Sequence, residues 1–319
     1  MNADSKKTSL RISIPEETGK PRPSRSPAVS DPRSSAVKFL LLVKHILFLL
    51  IATMFAGIFS AHAAEPLRVF IRSGPKTHGP GQHDHPRFLR DWTQLLNERG
   101  LQAQGGDEFP DAAQLERTDV LILHAQDAMK IVGEDREIFE KFLARGGGVV
   151  VIHAGVVGGD QNAWIKQIIG GTWRWPSPEL PKEKATKWLE GDVGLCWVDE
   201  THPISHGMSN WDWKDEIYYD LDLAPDIGVL ATSFHNVHII APQIWTYEKT
   251  LAGGTATYRA FVSLPGHEYA SFNTPPYRAL LLRGIAWAGR RANVDEFCRP
   301  GELASLRESG VIGNRPVKA

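Results

Sequence analysis

The sequence predicts an α/β fold with a doubly wound, mostly parallel sheet and helices on both faces. Three observations predict it. The runs 67–71, 120–123 and 149–152 are short, apolar and rich in β-branched residues, as strands buried on both faces are. Segments of helical period lie between them, a strand–helix–strand rhythm that favours parallel βαβ units with right-handed connections. Each run also stops abruptly at a polar or histidine-bearing loop, where open α/β sheets collect ligands.

Residues 67–71 are the first strand. The loop after it is broken by Gly74, Pro75, Gly79, Pro80 and Gly81 and carries His78, His83 and His85. Pro86 opens a helix to about Arg99, with Phe88, Leu89, Trp92, Leu95 and Leu96 on one face and Gly100 as its end. A weak second strand follows at 101–104, then a short helical turn capped by Asp111. The third strand, 120–123, ends at His124. A helix over 134–144 shows the stripe Ile138, Phe139, Phe142 and Leu143. After Gly146-Gly147-Gly148, the strand 149–152 stops at His153-Ala154-Gly155.

A helix over 160–169 ends at Gly170-Gly171, and 172–181 is a loop containing Trp173 and Trp175. Residues 185–198 read as two strands around a Gly191-Asp192 turn. The stretch 211–219 alternates into a strand that contains Asp215 and Glu216. Further strands are expected at 228–234, 243–247 and 258–264, the last running into Pro265-Gly266-His267-Glu268. A helix over 276–288 closes the domain. The domain is expected over 65–290, with a polar tail, 291–319, as an appendage.

The first 64 residues do not pattern as part of the fold. Residues 1–36 are rich in Ser, Pro, Lys and Arg and lack apolar periodicity. An apolar run over 46–59 then leads to Ser60-Ala61-His62-Ala63-Ala64, the small-residue pattern of an export signal cleaved near Ala63. The expectation is a periplasmic or secreted protein that touches the membrane only through this segment. The alternative is a membrane anchor over 39–60. The long polar stretch ahead of the signal suggests a translation start near Val37.

A formal net charge of −1 leaves no basic field for nucleic acid. Two cysteines, Cys196 and Cys298, make no disulfide framework, although an exported chain could pair them. Ten tryptophans suit either a packed core or the faces of sugar rings.

His124, His153 and His267 each follow an apolar strand, and the loop with His78, His83 and His85 follows the first. Strand ends of a parallel sheet share one rim, so these side chains are expected to meet in one crevice. Taken singly, each would be a loop histidine bonded to backbone. Asp215-Glu216 is the best acidic partner, able to orient an imidazole or to exchange protons with it. No H-E-x-x-H spacing declares zinc, yet a divalent metal held by His153, Glu216 and His267 remains open, and His83-x-His85 is ligand spacing of low specificity. A nucleophile elbow is missing, because the strand-to-helix turn reads Ile152-His153-Ala154-Gly155-Val156. A phosphate loop is missing too, since the glycine triplet precedes its strand.

The ordered set Gly146 to Gly155, His202-Pro203-Ile204, Asp215-Glu216-Ile217-Tyr218, Pro242-Gln243-Ile244-Trp245 and Leu264-Pro265-Gly266-His267 resembles the ThuA-like (trehalose utilisation) family over roughly 68–288. The resemblance implies a flavodoxin-like sheet of the class I glutamine amidotransferase type without that class's cysteine, in keeping with the missing elbow. It implies a role in metabolism of trehalose-type disaccharides through 3-keto-sugar chemistry. Its polar positions fall on His153, Asp215, Glu216, Tyr218 and His267, with His83 or His85 from the first loop. One departure is the segment 247–260, longer than the compact hairpin the family carries before its last strand.

The expected protein is an exported carbohydrate or keto-sugar isomerase, lyase or hydrolase, not a glutamine amidotransferase. Its catalytic groups would be His153, Asp215, Glu216 and His267. His83, His85, Tyr218, Trp173 and Trp245 would contact substrate, with Trp175 as a further stacking face. The alternatives are a non-catalytic sugar-binding domain and a metal-dependent hydrolase. No cofactor beyond a divalent metal is implied, and homo-oligomerisation stays open.

Overall fold

The computed structural model describes Lys44, residues 65–234 and residues 239–308. The expected signal, its cleavage point near Ala63 and the alternative anchor lie outside the described residues, Lys44 apart. Among the described residues no helix is long and apolar enough to cross a membrane. The strands are β1 (Arg68–Arg72), β2 (Gln102–Gly106), β3 (Val120–Leu123), β4 (Gly148–Ile152), β5 (Gly171–Thr172), β6 (Lys187–Trp197), β7 (Trp211–Tyr219), β8 (Asp222–Leu223), β9 (Gly228–Phe234), β10 (Pro242–Thr250) and β11 (Thr257–Ser263). The α-helices are α1 (His85–Glu98), α2 (Ala112–Glu116), α3 (Gly133–Ala144), α4 (Asn162–Ile169), α5 (Pro275–Ala288) and α6 (Pro300–Glu308).

Among the described residues nine strands form one sheet in the order β2-β1-β3-β4-β11-β10-β9-β6-β7. From β2 to β11 every pairing is parallel, and the order is that of a flavodoxin-like sheet. From β11 to β7 every pairing is antiparallel. The expected α/β fold is therefore present, with parallel strands at its core and an antiparallel extension on one side. Both faces are covered. Val150 and Ile152 of β4 pack into one apolar cluster with Phe88, Trp92 and Leu96 of α1 and with α5. Val149 and Val151 face the opposite cluster, with Phe139 and Phe142 of α3 and Ile165 of α4. The alternation of a strand's side chains thus supplies two cores from one apolar run. Burial of each large apolar side chain there contributes about 1.5–3 kcal/mol.

Two expectations fail for identifiable reasons. Residues 187–197 form one strand, because every position from Lys187 to Leu195 finds a partner on β7 from Tyr219 to Trp211. The expected Gly191-Asp192 turn does not form. Cross-strand pairing outweighs the local signal, and Gly191 absorbs the strain with φ +145°. The tail is also no appendage as far as residue 308. Phe297 and Leu306 are buried in the core on the α5 side, and Glu302 ion-pairs with Arg99 at 2.8 Å. Polar composition hid a segment whose apolar side chains face inward.

Candidate functional site

The C-terminal ends of β1, β4 and β11 open onto the same rim, and each delivers a histidine. His153 directly follows β4 with φ +52° and begins a 3₁₀ turn. A side chain at Gly155 would put its Cβ 2.7 Å from the Leu123 carbonyl oxygen, so this turn requires glycine. His83 and His78, in the loop after β1, also hold positive φ, at +42° and +63°. Strain of this kind on non-glycine residues gathers at functional sites. His267 follows the turn after β11, where Gly266 has φ +134°.

The loops carrying His83 and His267 are tied together by backbone. His83 N–H donates to the His267 carbonyl at 3.0 Å, and Tyr269 N–H donates to the Gly81 carbonyl at 2.7 Å.

Side chains from these loops and from β7 converge. His153 Nε2 lies 2.9 Å from His83 Nε2, 3.2 Å from His267 Nδ1 and 3.2 Å from Glu216 Oε2. His267 Nδ1 lies 3.2 Å from the same Glu216 oxygen. The Tyr218 hydroxyl is 3.0 Å from His153 Nε2. All four of His83, His153, Glu216 and His267 are buried. His153 Nδ1 donates to the Leu264 carbonyl at 2.7 Å, which points Nε2 into the cluster. His83 Nδ1 is held by Thr77 Oγ1 at 3.0 Å. Burial, with the neighbouring imidazoles, drives the His83 pKa from 6.5 to about 2, so the ring stays neutral.

Burial alone would raise the Glu216 pKa, but hydrogen bonds from His153 and His267 outweigh it and hold the carboxyl well below its ordinary range. Burial works against a proton on His267, yet Glu216 outweighs it and the His267 pKa rises. Burial and then Glu216 push the Tyr218 phenol well above its ordinary value, so it stays a donor.

This donor set fits a divalent transition metal. Imidazole nitrogens at about 2.1 Å from an ion and at right angles stand about 3.0 Å apart, the spacing seen here. Nitrogen and carboxylate ligands suit zinc, iron, nickel or manganese. Outer hydrogen bonds from His83 and His153 match the way ligating imidazoles are oriented by their other nitrogen.

The structure divides the expected residues. His83, His153, Glu216 and His267 come together with Tyr218. Asp215 does not join them: it is buried and accepts from Glu216 N–H, His267 N–H, Gly266 N–H and the Ser271 hydroxyl. It positions the His267 turn. Adjacent residues on a strand face opposite ways, which separates Asp215 from Glu216.

His85 also stays out, with Nδ1 bonded to the Pro75 carbonyl at 2.9 Å. His124 is buried between Phe88, Phe272 and His85. Trp245 has no exposed surface and donates to the Ile169 carbonyl at 2.8 Å, so it is core and cannot meet a substrate. Both cysteines are free, and burial pushes the Cys298 thiol up to about 12.

Above the cluster is a cavity of about 250 Å³ whose walls include Trp173, Trp175, Trp188, Tyr218, Glu190 and Gln126. Glu190 and Trp188 escaped the sequence reading. They stand directly across β6–β7 from Glu216 and Tyr218, so two layers of side chains face the cavity. The signal was the alternation Trp188-Leu189-Glu190, obscured by the turn read at Gly191. Gln82 Nε2 donates to Glu190 at 3.0 Å and to Glu268 at 3.2 Å.

Fold and site define a class: a flavodoxin-like α/β protein in which histidines at the ends of parallel strands meet a carboxylate of β7. More specifically, the chain belongs to the ThuA family, whose model, described as trehalose utilisation, matches residues 76–288. Two solved structures share the fold. A ThuA-like protein from Parabacteroides merdae is 17% identical with a TM-score of 0.54, over 70% of this chain and 90% of that one. A ThuA-like protein from Bacteroides uniformis is 16% identical with a TM-score of 0.53, over 73% and 97%. The comparison with curated proteins returned no match.

Proposed function

We propose that this protein is a divalent-metal-dependent enzyme acting on the 3-keto derivative of a trehalose-type disaccharide by removing a proton beside the keto group. The observation that carries the proposal is the convergence of His83 Nε2, His153 Nε2, His267 Nδ1 and Glu216 Oε2 at the base of an aromatic-walled cavity. A divalent ion held by these atoms would supply Lewis-acid polarisation of a carbonyl.

The chain's own groups would do the rest. Tyr218, held as a phenol, donates a hydrogen bond toward the centre. Glu190 opens onto the cavity with one oxygen bonded by Gln82, and its other oxygen would take the substrate proton. Burial of the imidazoles keeps bulk water away from the centre, and Asp215 holds the His267 turn in register. The export signal read before Ala63 supports action outside the cytoplasm, which mapping the mature N-terminus tests.

The decisive experiment measures metal content of the purified protein, then incubates it with 3-keto-trehalose in deuterated water, with and without chelator. The expected result is bound divalent metal, deuterium at the carbon beside the keto group, product formation, and loss of all turnover on chelation. A protein that takes up neither metal nor keto-sugar refutes the proposal. Binding without turnover, with His153→Ala altering affinity alone, makes it a sugar-binding protein.

A further inference from the structure

Trp188 and Trp175 are 58% and 52% exposed, although large aromatic side chains normally bury most of their surface. Both border the same cavity as the histidine–carboxylate cluster. They belong to a continuous aromatic wall. Trp188 stands across the sheet from Tyr218, Trp173 meets Tyr218 edge-on at 4.8 Å, and Trp175 leans on Trp173 at 5.4 Å.

We propose that the cavity is the inner of two sugar subsites, and that Trp188 and Trp175 form an outer subsite for the second ring of a disaccharide. This rests on the carbohydrate reading above. A cavity of about 250 Å³ is small against the 300–1,000 Å³ or so of ordinary ligand pockets, which suits a single ring. The second ring then lies at the mouth, where the exposed indoles offer flat faces to its C–H surface. Glu190, a carboxylate in the same wall, suits a hydroxyl-rich neutral ligand over an anionic one.

The test is calorimetric titration of trehalose, glucose and their 3-keto forms into wild type, Trp188→Ala, Trp175→Ala and Trp188→Phe, with steady-state kinetics wherever turnover occurs. The alanine variants are expected to lose tenfold or more in disaccharide affinity, to raise KM while kcat holds, and to bind the monosaccharides within twofold of wild type. Trp188→Phe recovers part of the loss. Equal losses for one ring and two, or no loss for either, overturn the outer subsite. A change of oligomeric state in sedimentation with sugar affinity unchanged also overturns it, making the indoles a protein contact. If wild type binds no sugar at all, the carbohydrate reading itself falls.

Discussion

Acidification offers a quantitative test of the buried histidines. His83 and His85 have pKa values lowered from 6.5 to about 2 and about 4, chiefly by burial, and burial drives His124 far down as well. In the unfolded chain each titrates near 6.5. The folded state therefore refuses a proton that the unfolded chain accepts, so their contribution is intact above pH 6.5 and is lost as pH falls below it. One pH unit of such mismatch is worth about 1.36 kcal/mol per group, or about 4 kcal/mol for three at pH 5.5. His267, whose pKa is raised, works the other way as a single group, which brings the loss from these four histidines to about 3–4 kcal/mol. Glu216 stays ionised throughout this window.

For a domain of this size the loss corresponds to a fall in Tm of about 6–16 °C between pH 7.5 and 5.5. Differential scanning calorimetry of chelator-treated protein across that range is the assay. His124→Phe, in an aromatic surround, should shrink the pH-dependent loss by about a third. A flat profile for wild type, or a variant profile that overlays it, would refute the account of these histidines as neutral by burial.

Three further outcomes follow from the same structure. Divalent metal at about 100 times its dissociation constant should stabilise the chelator-stripped protein by about 2.7 kcal/mol, and thermal shift should show this gain vanish in His83→Ala and His153→Ala. Trp245→Ala should cost about 3–5 kcal/mol in urea unfolding through loss of a core indole, with sugar affinity of the folded fraction unchanged; a selective affinity loss would place Trp245 at the substrate after all. Ending the chain at residue 299 removes Glu302 and leaves Arg99, its 2.8 Å partner, buried and uncompensated. That should destabilise by about 3–5 kcal/mol, and a truncated chain as stable as the parent would show the last helix to be dispensable.

Much of the parallel core was legible in the chain because its signals are local. Apolar runs of strand length, helical stripes and glycine or proline punctuation mark β1, β3, β4 and α1 within a residue or two. His153 was legible as a site candidate for the same reason, as a titratable residue set directly after an all-apolar strand. Glu216 was legible beside Asp215 as the best acidic partner, and resemblance to a family then supplied Tyr218.

Other features depend on pairings that no local window contains. His83 rather than His85 reaches the centre because the backbone of its loop is bonded to the His267 loop, 184 positions away. His124 satisfied the same sequence rule as His153, yet α1 and Phe272 wall it off. Trp245 and Trp188 are chemically identical, and only the register of β10 and β6 sends one to the core and the other to the cavity. Glu190 became a site residue when β6 ran unbroken past Gly191 and brought it opposite Glu216. In the parallel core the sequence alone determined which segments are strands, where they stop and which residue types wait at their ends. Tertiary structure decided which of those residues meet, because side-chain convergence is set by strand register and loop-to-loop hydrogen bonds between segments far apart in the chain.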